Sequence, residues 1–190
     1  MSNPFFMSAI IYDIIRSDHQ LEEILNLQRI NLPQHISDEE KQSQGFVTIE
    51  HDFKLLKQMN EAYPHVIAMD EGKVIGYTLV MLRKFKDRID ILIPMFNKID
   101  EILNDQGQTK SYFVMGQVCV AKPYRGKGVF KGLYDKMKEV LSKDFDCCIT
   151  EVDPSNLRSL KAHHNQGFER LSLYEDDKNR FWELIIWDWK

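Results

Sequence analysis

Residues 123–130 read Pro-Tyr-Arg-Gly-Lys-Gly-Val-Phe and stand between a long apolar stretch and an amphipathic one. A helix N-terminus presents unpaired N–H groups and partial positive charge, and glycines let a ligand approach the backbone closely. Arg125 and Lys127 add full positive charges, so these residues suit an anion, most naturally a diphosphate. Two familiar phosphate loops do not fit them. A G-x-x-x-x-G-K-[ST] loop needs glycine where Ala121 stands, and Gly128 follows Lys127. In G-x-G-x-x-G the third glycine would fall on Lys131, with Gly132 one residue late. A tight strand-to-helix turn with solvated basic residues is the plainer alternative.

Proton-transfer chemistry has its own candidates. Glu151 precedes Asn156 on the next apolar stretch, and Glu50 and Asp52 lie ahead of the first hairpin. Any of these carboxylates could accept a proton directly or through water, or could simply be solvated or ion-paired. His163 and His164 are adjacent and diverge by about 100° on a helix, which makes them poor co-ligands of one metal; no metal is expected. Tyr112 and Gln117 are weaker candidates for a substrate pocket. Cys119 lacks a base partner at any identifiable spacing, and Cys147-Cys148 reads as core filling.

The elements that must hold these residues follow from periodicity and capping. Ala9–Arg16 is a strand. Ser17-x-x-Gln20 is a capping box opening a helix, Ser37-x-x-Glu40 a second before Gln44-Gly45, and His51–Ala62 a further helix. His65–Met69 and Lys73–Leu82 form a hairpin around Asp70-Glu71-Gly72-Lys73, where Gly72 can supply a positive φ. Leu92, Phe96, Ile99 and Leu103 make Lys84–Lys110 helical, a lid over the substrate or a homodimer contact. Ser111–Val120 is a central strand covered on both faces. Lys127–Lys143 is the cleanest helix, Phe145–Val152 a strand, and Asp153–Asn165 a helix closed by Gly167. Two last strands, Phe168–Tyr174 and Arg180–Trp189, flank Glu175-Asp176-Asp177, acidic residues that could draw a cationic amine or simply be solvated. Trp182, Trp187 and Trp189 on the last strand are expected in the core or at a subunit contact. The order implies an α/β (α+β) fold, a mixed sheet with helices on its faces.

Composition narrows the partners. The 190 residues carry a net charge of −4, which argues against non-specific nucleic-acid binding, yet Lys122, Arg125, Lys127 and Lys131 concentrate cations in one place. Three cysteines, two of them adjacent, offer no disulfide framework and fit a reducing cytosol. The longest uncharged run, Ser111–Ala121, has eleven residues where a membrane span needs about 20, and Met1–Phe6 lacks the pattern of a signal peptide. A soluble, cytoplasmic chain without a membrane partner is expected.

Arg125-x-x-Gly128-x-Phe130 resembles the acyl-CoA phosphate loop, [QR]-x-x-G-x-[GA], of the GNAT N-acetyltransferase superfamily. Asn156 through Gly167-Phe168, about thirty residues downstream, is similar to the family's second motif, an Asn opening a helix that ends in Gly-Phe. The resemblance covers roughly Ala9–Trp189. It implies one GNAT-like domain over residues 1–190, with a mostly antiparallel sheet of about seven strands and an insertion-like segment around 84–110. It also implies acetyl-CoA as cosubstrate and transfer to a primary amine of an acceptor, small molecule or protein, by direct attack on the thioester. A non-catalytic acyl-CoA-binding or sensor module is the alternative. The amides of Gly126, Lys127, Gly128, Val129 and Phe130, with Arg125, would hold the diphosphate. Val118, Cys119 and Val120 would pair with the pantetheine arm, and Asn156 would contact it beside the thiol. Glu151 is then the nominated base. His163 stands where the family often has a tyrosine acid, as either that acid or a packing or CoA-contact residue. Phe130 departs from the small residue of the pattern, and its spacing with Leu133, Tyr134 and Met137 sends the ring toward the core.

Overall fold

The computed structural model describes residues 9–40, 46–105 and 110–190; Gln44-Gly45 lies outside them. Seven strands, β1 (Ile11–Ile14), β2 (Val66–Asp70), β3 (Lys73–Met81), β4 (Tyr112–Val120), β5 (Cys147–Val152), β6 (Glu169–Glu175) and β7 (Phe181–Asp188), form one sheet ordered β1-β2-β3-β4-β5-β7-β6. The neighbours β4 and β5 run parallel; the other described pairs are antiparallel. On its faces lie α1 (Asp18–Arg29), α2 (Phe53–Ala62), α3 (Ile93–Asp105), α4 (Val129–Leu141) and α5 (Leu157–Gln166).

Local chemistry accounts for the element ends. Ser17 and Gln20 form a reciprocal capping box on α1, and Asp52 Oδ1 accepts from Leu55 N at 2.8 Å at the start of α2. Asn156 caps α5 through Ser159 N, and Gly167 at φ 104° ends it. The β2–β3 turn holds two left-handed residues, Glu71 at φ 48° and Gly72 at φ 77°, the backbone of a type I′ hairpin. Only the glycine of that pair is evident from residue type.

The sheet separates two apolar layers. Val129, Leu133, Tyr134, Met137 and Leu141 of α4 pack with Phe113, Met115, Cys148 and Ile185 on one face. On the other, α1 packs against Ile67, Tyr77 and Leu79, while Met95, Phe96, Ile99 and Leu103 of α3 pack with Val114, Cys147 and Ile149. Leu92, Phe96, Ile99 and Leu103, the apolar stripe of the 84–110 segment, are therefore spent inside the chain's own core, so this stripe is no argument for a lid or a dimer contact.

Three histidines are buried in these layers. Desolvation holds His51 and His163 near pKa 4 and His65 near 3, against about 6.5 for the free side chain. Each is neutral when folded and takes up a proton more readily when unfolded. Their contribution to stability is therefore complete above about pH 6.5 and is lost as pH falls from there toward 4. Urea denaturation across pH 4–7 is expected to show stability falling steeply below 6.5, with up to three protons bound on unfolding.

Candidate active site

The sheet opens where β4 meets β5. Their ladder covers only Tyr112–Val114 against Cys147–Ile149, and beyond it the strands diverge. At the opening, the Thr150 hydroxyl donates to the Met115 carbonyl at 2.8 Å, replacing a backbone partner. Beside it a bulge interrupts the β3–β4 register, with Leu79 opposite Gln117 and Val80 opposite Met115. The extra residue, Gly116, changes the phase of β4. Phe113 and Met115 face α4 before the bulge, Val118 and Val120 after it, and Gln117 and Cys119 turn to the α1 face.

The free edge of β4 has a defined direction. Ala121 N bonds Ile75 O across the sheet, whereas the Val120 carbonyl points outward and accepts from Arg125 Nε at 3.0 Å. Backbone groups alternate along a strand, so Val118 also directs its N–H and C=O away from β3, and Cys119 directs its own toward β3. Burial pushes the Cys119 thiol up to about 12, so it carries no thiolate.

Past β4 the chain makes the loop and α4. Gly126 at φ 75° and Gly128 at φ 82° take left-handed conformations, and a Cβ at either would meet no atom. Glycine is used here for its φ rather than for space. Gly128 is the N-cap, and the first N–H groups of α4 follow it. A cavity of about 320 Å³ runs from this terminus along Val118–Val120 to Asn156 and Ser159 on α5. Every nominated cofactor residue lines it except Lys127, whose ammonium sits over the Tyr124 ring at 5.6 Å.

Arg125 is not the free cation its sequence context suggested. Its side chain is 12% exposed and pairs with Glu40 at 3.3 Å, with Asn31 Oδ1 and with the Val120 carbonyl. Lys122 reaches the same Glu40 at 3.0 Å. The guanidinium thus braces the loop against the strand end and against α1's C-terminal turn.

A second, smaller cavity adjoins the first through Phe46, Val47, Val118, Asn156 and Ser159, and contains Glu151, Asp153, Trp182 and His163 in its walls. The two proton-transfer candidates reach it from opposite faces of the sheet. Glu151 follows Cys147 and Ile149 on the α3 side, and desolvation raises its pKa to about 7. The Tyr174 hydroxyl donates to Glu151 Oε2, a bond that opposes the rise. Glu50 instead pairs with Arg29 at 3.7 Å and Asp52 caps α2, so neither lines this cavity. Tyr112 is turned toward Asp100.

His163 is 1% exposed. A carbonyl can only accept, so the 2.8 Å contact with Ser159 O places the imidazole proton on Nδ1, and Nε2 accepts from the Tyr134 hydroxyl at 2.7 Å. Phe130, Tyr134 and Phe168 surround the ring at centroid distances of 5.1–5.5 Å. The two residues that depart from the GNAT pattern, Phe130 and His163, therefore touch each other. Phe130 is only partly buried: one side of it packs on the core and the rest lines the larger cavity.

Asp176 is buried rather than solvated. It accepts from Arg180 Nε at 2.8 Å, Trp182 Nε1 at 3.1 Å and the N–H groups of Lys178 and Arg180, which hold its carboxyl well below the usual range. That network fixes the β6–β7 turn and the Trp182 ring at the smaller cavity. Trp187 packs with Phe168 and Tyr134, and Trp189 packs on Phe113.

A family model, described as Acetyltransferase (GNAT) family, matches residues 21–168. The chain belongs to the GNAT family of acetyltransferases. Among solved structures, Arabidopsis thaliana Naa50 in complex with the bisubstrate analogue CoA-Ac-MVNAL superposes with TM-score 0.60 at 16% identity, over 95% of this chain and 99% of that one. The ribosomal-protein-S18-alanine N-acetyltransferase from Escherichia coli gives 0.60 at 11% identity, over 95% and 94%. The Salmonella typhimurium putative acetyltransferase yncA, solved with acetyl-CoA, gives 0.61 at 13%, over 95% and 94%. No curated protein matches the chain at a significant level. At these identities the superpositions establish the fold. The GNAT member's sheet opens between β4 and β5, and among its described residues no group of His, Cys, Asp or Glu is arranged to hold a metal and no helix is long and apolar enough to cross a membrane.

Proposed function

We propose that the chain transfers the acetyl group of acetyl-CoA to a primary amine, with Glu151 as the base. The observation that carries this reading is the continuity of the two cavities. One begins at a glycine-flanked helix N-terminus and follows the outward edge of β4, and it meets the other beside the half-buried Glu151 carboxyl. The first N–H groups of α4 suit a diphosphate, and the outward backbone of Val118 and Val120 suits an extended amide-bearing arm, as an added strand pairs with a sheet edge. Acetyl-CoA supplies the activated thioester carbonyl. Glu151 takes a proton from the arriving ammonium, and a pKa near 7 suits that exchange at neutral pH. The freed amine attacks the thioester carbonyl, the C–N bond forms as the C–S bond breaks, and the departing CoA thiolate takes up the proton that the nitrogen then sheds. The outward N–H of Val118 suits the negative charge that develops on oxygen. His163, neutral and held at both nitrogens, orients Tyr134 and α5 rather than delivering a proton.

The amine end is acidic and aromatic, with Glu151, Asp153, Phe46 and Trp182 in its walls, which suits an ammonium arriving from water. The chain acts as one GNAT-like domain, and its three free, buried cysteines fit a cytoplasmic setting. Incubating the protein with acetyl-CoA and a pool of alkylamines, peptides and polyamines, and following free thiol, tests the reaction. Amine-dependent thiol release is expected; acetyl-CoA binding without it would leave only a binding module.

A further inference from the structure

Phe46 and Val47 belong to both cavities, yet they lie in a segment with no helix or strand of its own. The Val47 N–H donates to the Asn31 carbonyl at 3.3 Å, and two further backbone groups are held by side chains. The Ile49 carbonyl accepts from Gln117 Nε2 at 2.8 Å, and the His51 N–H donates to Gln28 Oε1 at 2.6 Å. Between these ends the two amide side chains join, with Gln28 Nε2 donating to Gln117 Oε1 at 2.7 Å and to His51 Nδ1 at 2.9 Å. The Tyr77 hydroxyl donates to the same Gln117 Oε1 at 2.5 Å.

A backbone N–H can only donate and a carbonyl can only accept, so the two ends fix every bond between them. Neither amide can flip without leaving a buried group unpaired. Gln28 and Tyr77 are fully buried, and Gln117 and His51 nearly so. An apolar side chain would fill this space at less cost in desolvation, so an amide relay whose amides are paired, with His51 Nε2 left as a buried nitrogen without a partner, specifies geometry more than it adds stability. Its location gives that geometry a use. Gln117 follows the bulged Gly116, where the β4 edge opens, and its side chain reaches the loop that roofs both cavities.

We propose that Gln117, held in orientation by Gln28, is a positioning residue that sets the height of residues 46–49 above the junction of the two cavities. It thereby fixes the acceptor amine against the acyl group. This rests on the acetyl-transfer reading above, and the test separates the two.

Gln117→Glu, ionised, keeps both acceptor bonds and sets a carboxylate oxygen against the Ile49 carbonyl in place of the donor, so the variant is read at a pH high enough to ionise it. In that variant, hydrogen exchange across residues 46–52 is expected to speed up by about tenfold. The kcat for amine-dependent thiol release should fall by about tenfold or more, with the Kd for acetyl-CoA within about twofold of the parent. Gln28→Met, which breaks the relay at its far end, should give the same split and serves if the first variant does not fold. Unchanged exchange would overturn the strut, and faster exchange with intact kcat would overturn its role in positioning. Parallel loss of thermal stability and acetyl-CoA affinity would reduce the relay to a core contact. If the parent protein itself releases no thiol with any amine, the acetyl-transfer reading fails, while exchange still reports on the strut.

Discussion

Replacing Glu151 with glutamine is expected to lower kcat by about 10²- to 10⁴-fold, the range that removal of a general base commonly produces. The Kd for acetyl-CoA should not move, because Glu151 lines only the smaller cavity. The pH profile supplies the sharper reading. A base must be unprotonated, so parental activity should climb through an apparent pKa near 7 and level off above it, and the variant's residual activity should be flat. Tyr174→Phe removes a hydrogen bond that favours the carboxylate, and should move the midpoint of that climb to higher pH. Stopped assays from pH 5.5 to 9 with a saturating amine, corrected for the amine's own titration, would check both. A parental profile without the climb would remove Glu151 from the reaction.

The second large effect is expected at Arg125. Its guanidinium holds the strand end at Val120, the α1 side at Asn31 and the carboxylate of Glu40. Arg125→Ala releases the loop and leaves Glu40 beside the phosphate site with Lys122 as its cationic partner. The Kd for CoA should rise by about 10- to 100-fold, in line with the loss of charge-assisted hydrogen bonds. Adding Glu40→Gln should restore part of the affinity by removing a negative charge near the diphosphate. Calorimetric titration of the single and double variants measures the coupling, and simple additivity would show that Glu40 and Arg125 act separately.

Much of this site was legible in residue order. The glycines of the loop, the amphipathic helix behind them and the Asn156 cap follow from local conformational rules, and local rules are what a single sequence expresses directly. Features set by distant partners were not. Arg125 read as a free cation because Asn31 and Glu40 lie more than eighty residues away from it. His163 read equally as an acid or a packing residue because only its spacing is visible, whereas the Tyr134 hydroxyl it accepts from and the aromatic rings around it come from the packing of α4 on α5. Asp176 read as one charge in a polar turn, but the arginine and tryptophan that bury it arrive only when the hairpin closes. The bulge at Gly116 left no sign beyond the glycine itself, although it decides which side chains of β4 face α4 and which face α1. Phe46, with no periodic partner, could not be placed at all.

The short β4–β5 ladder has a mechanical meaning. Three paired positions join a leaf made of β1 to β4 to a leaf made of β5, β7 and β6, while the seams within each leaf carry four to six. The sheet is thus two stiff plates meeting at a narrow weld, with α4 and α5 bridging it from one side. A cosubstrate lying along the open part of that seam would serve as a detachable rivet between the plates. Loading should stiffen the whole molecule, and discharge should return the seam to its looser state at each turnover.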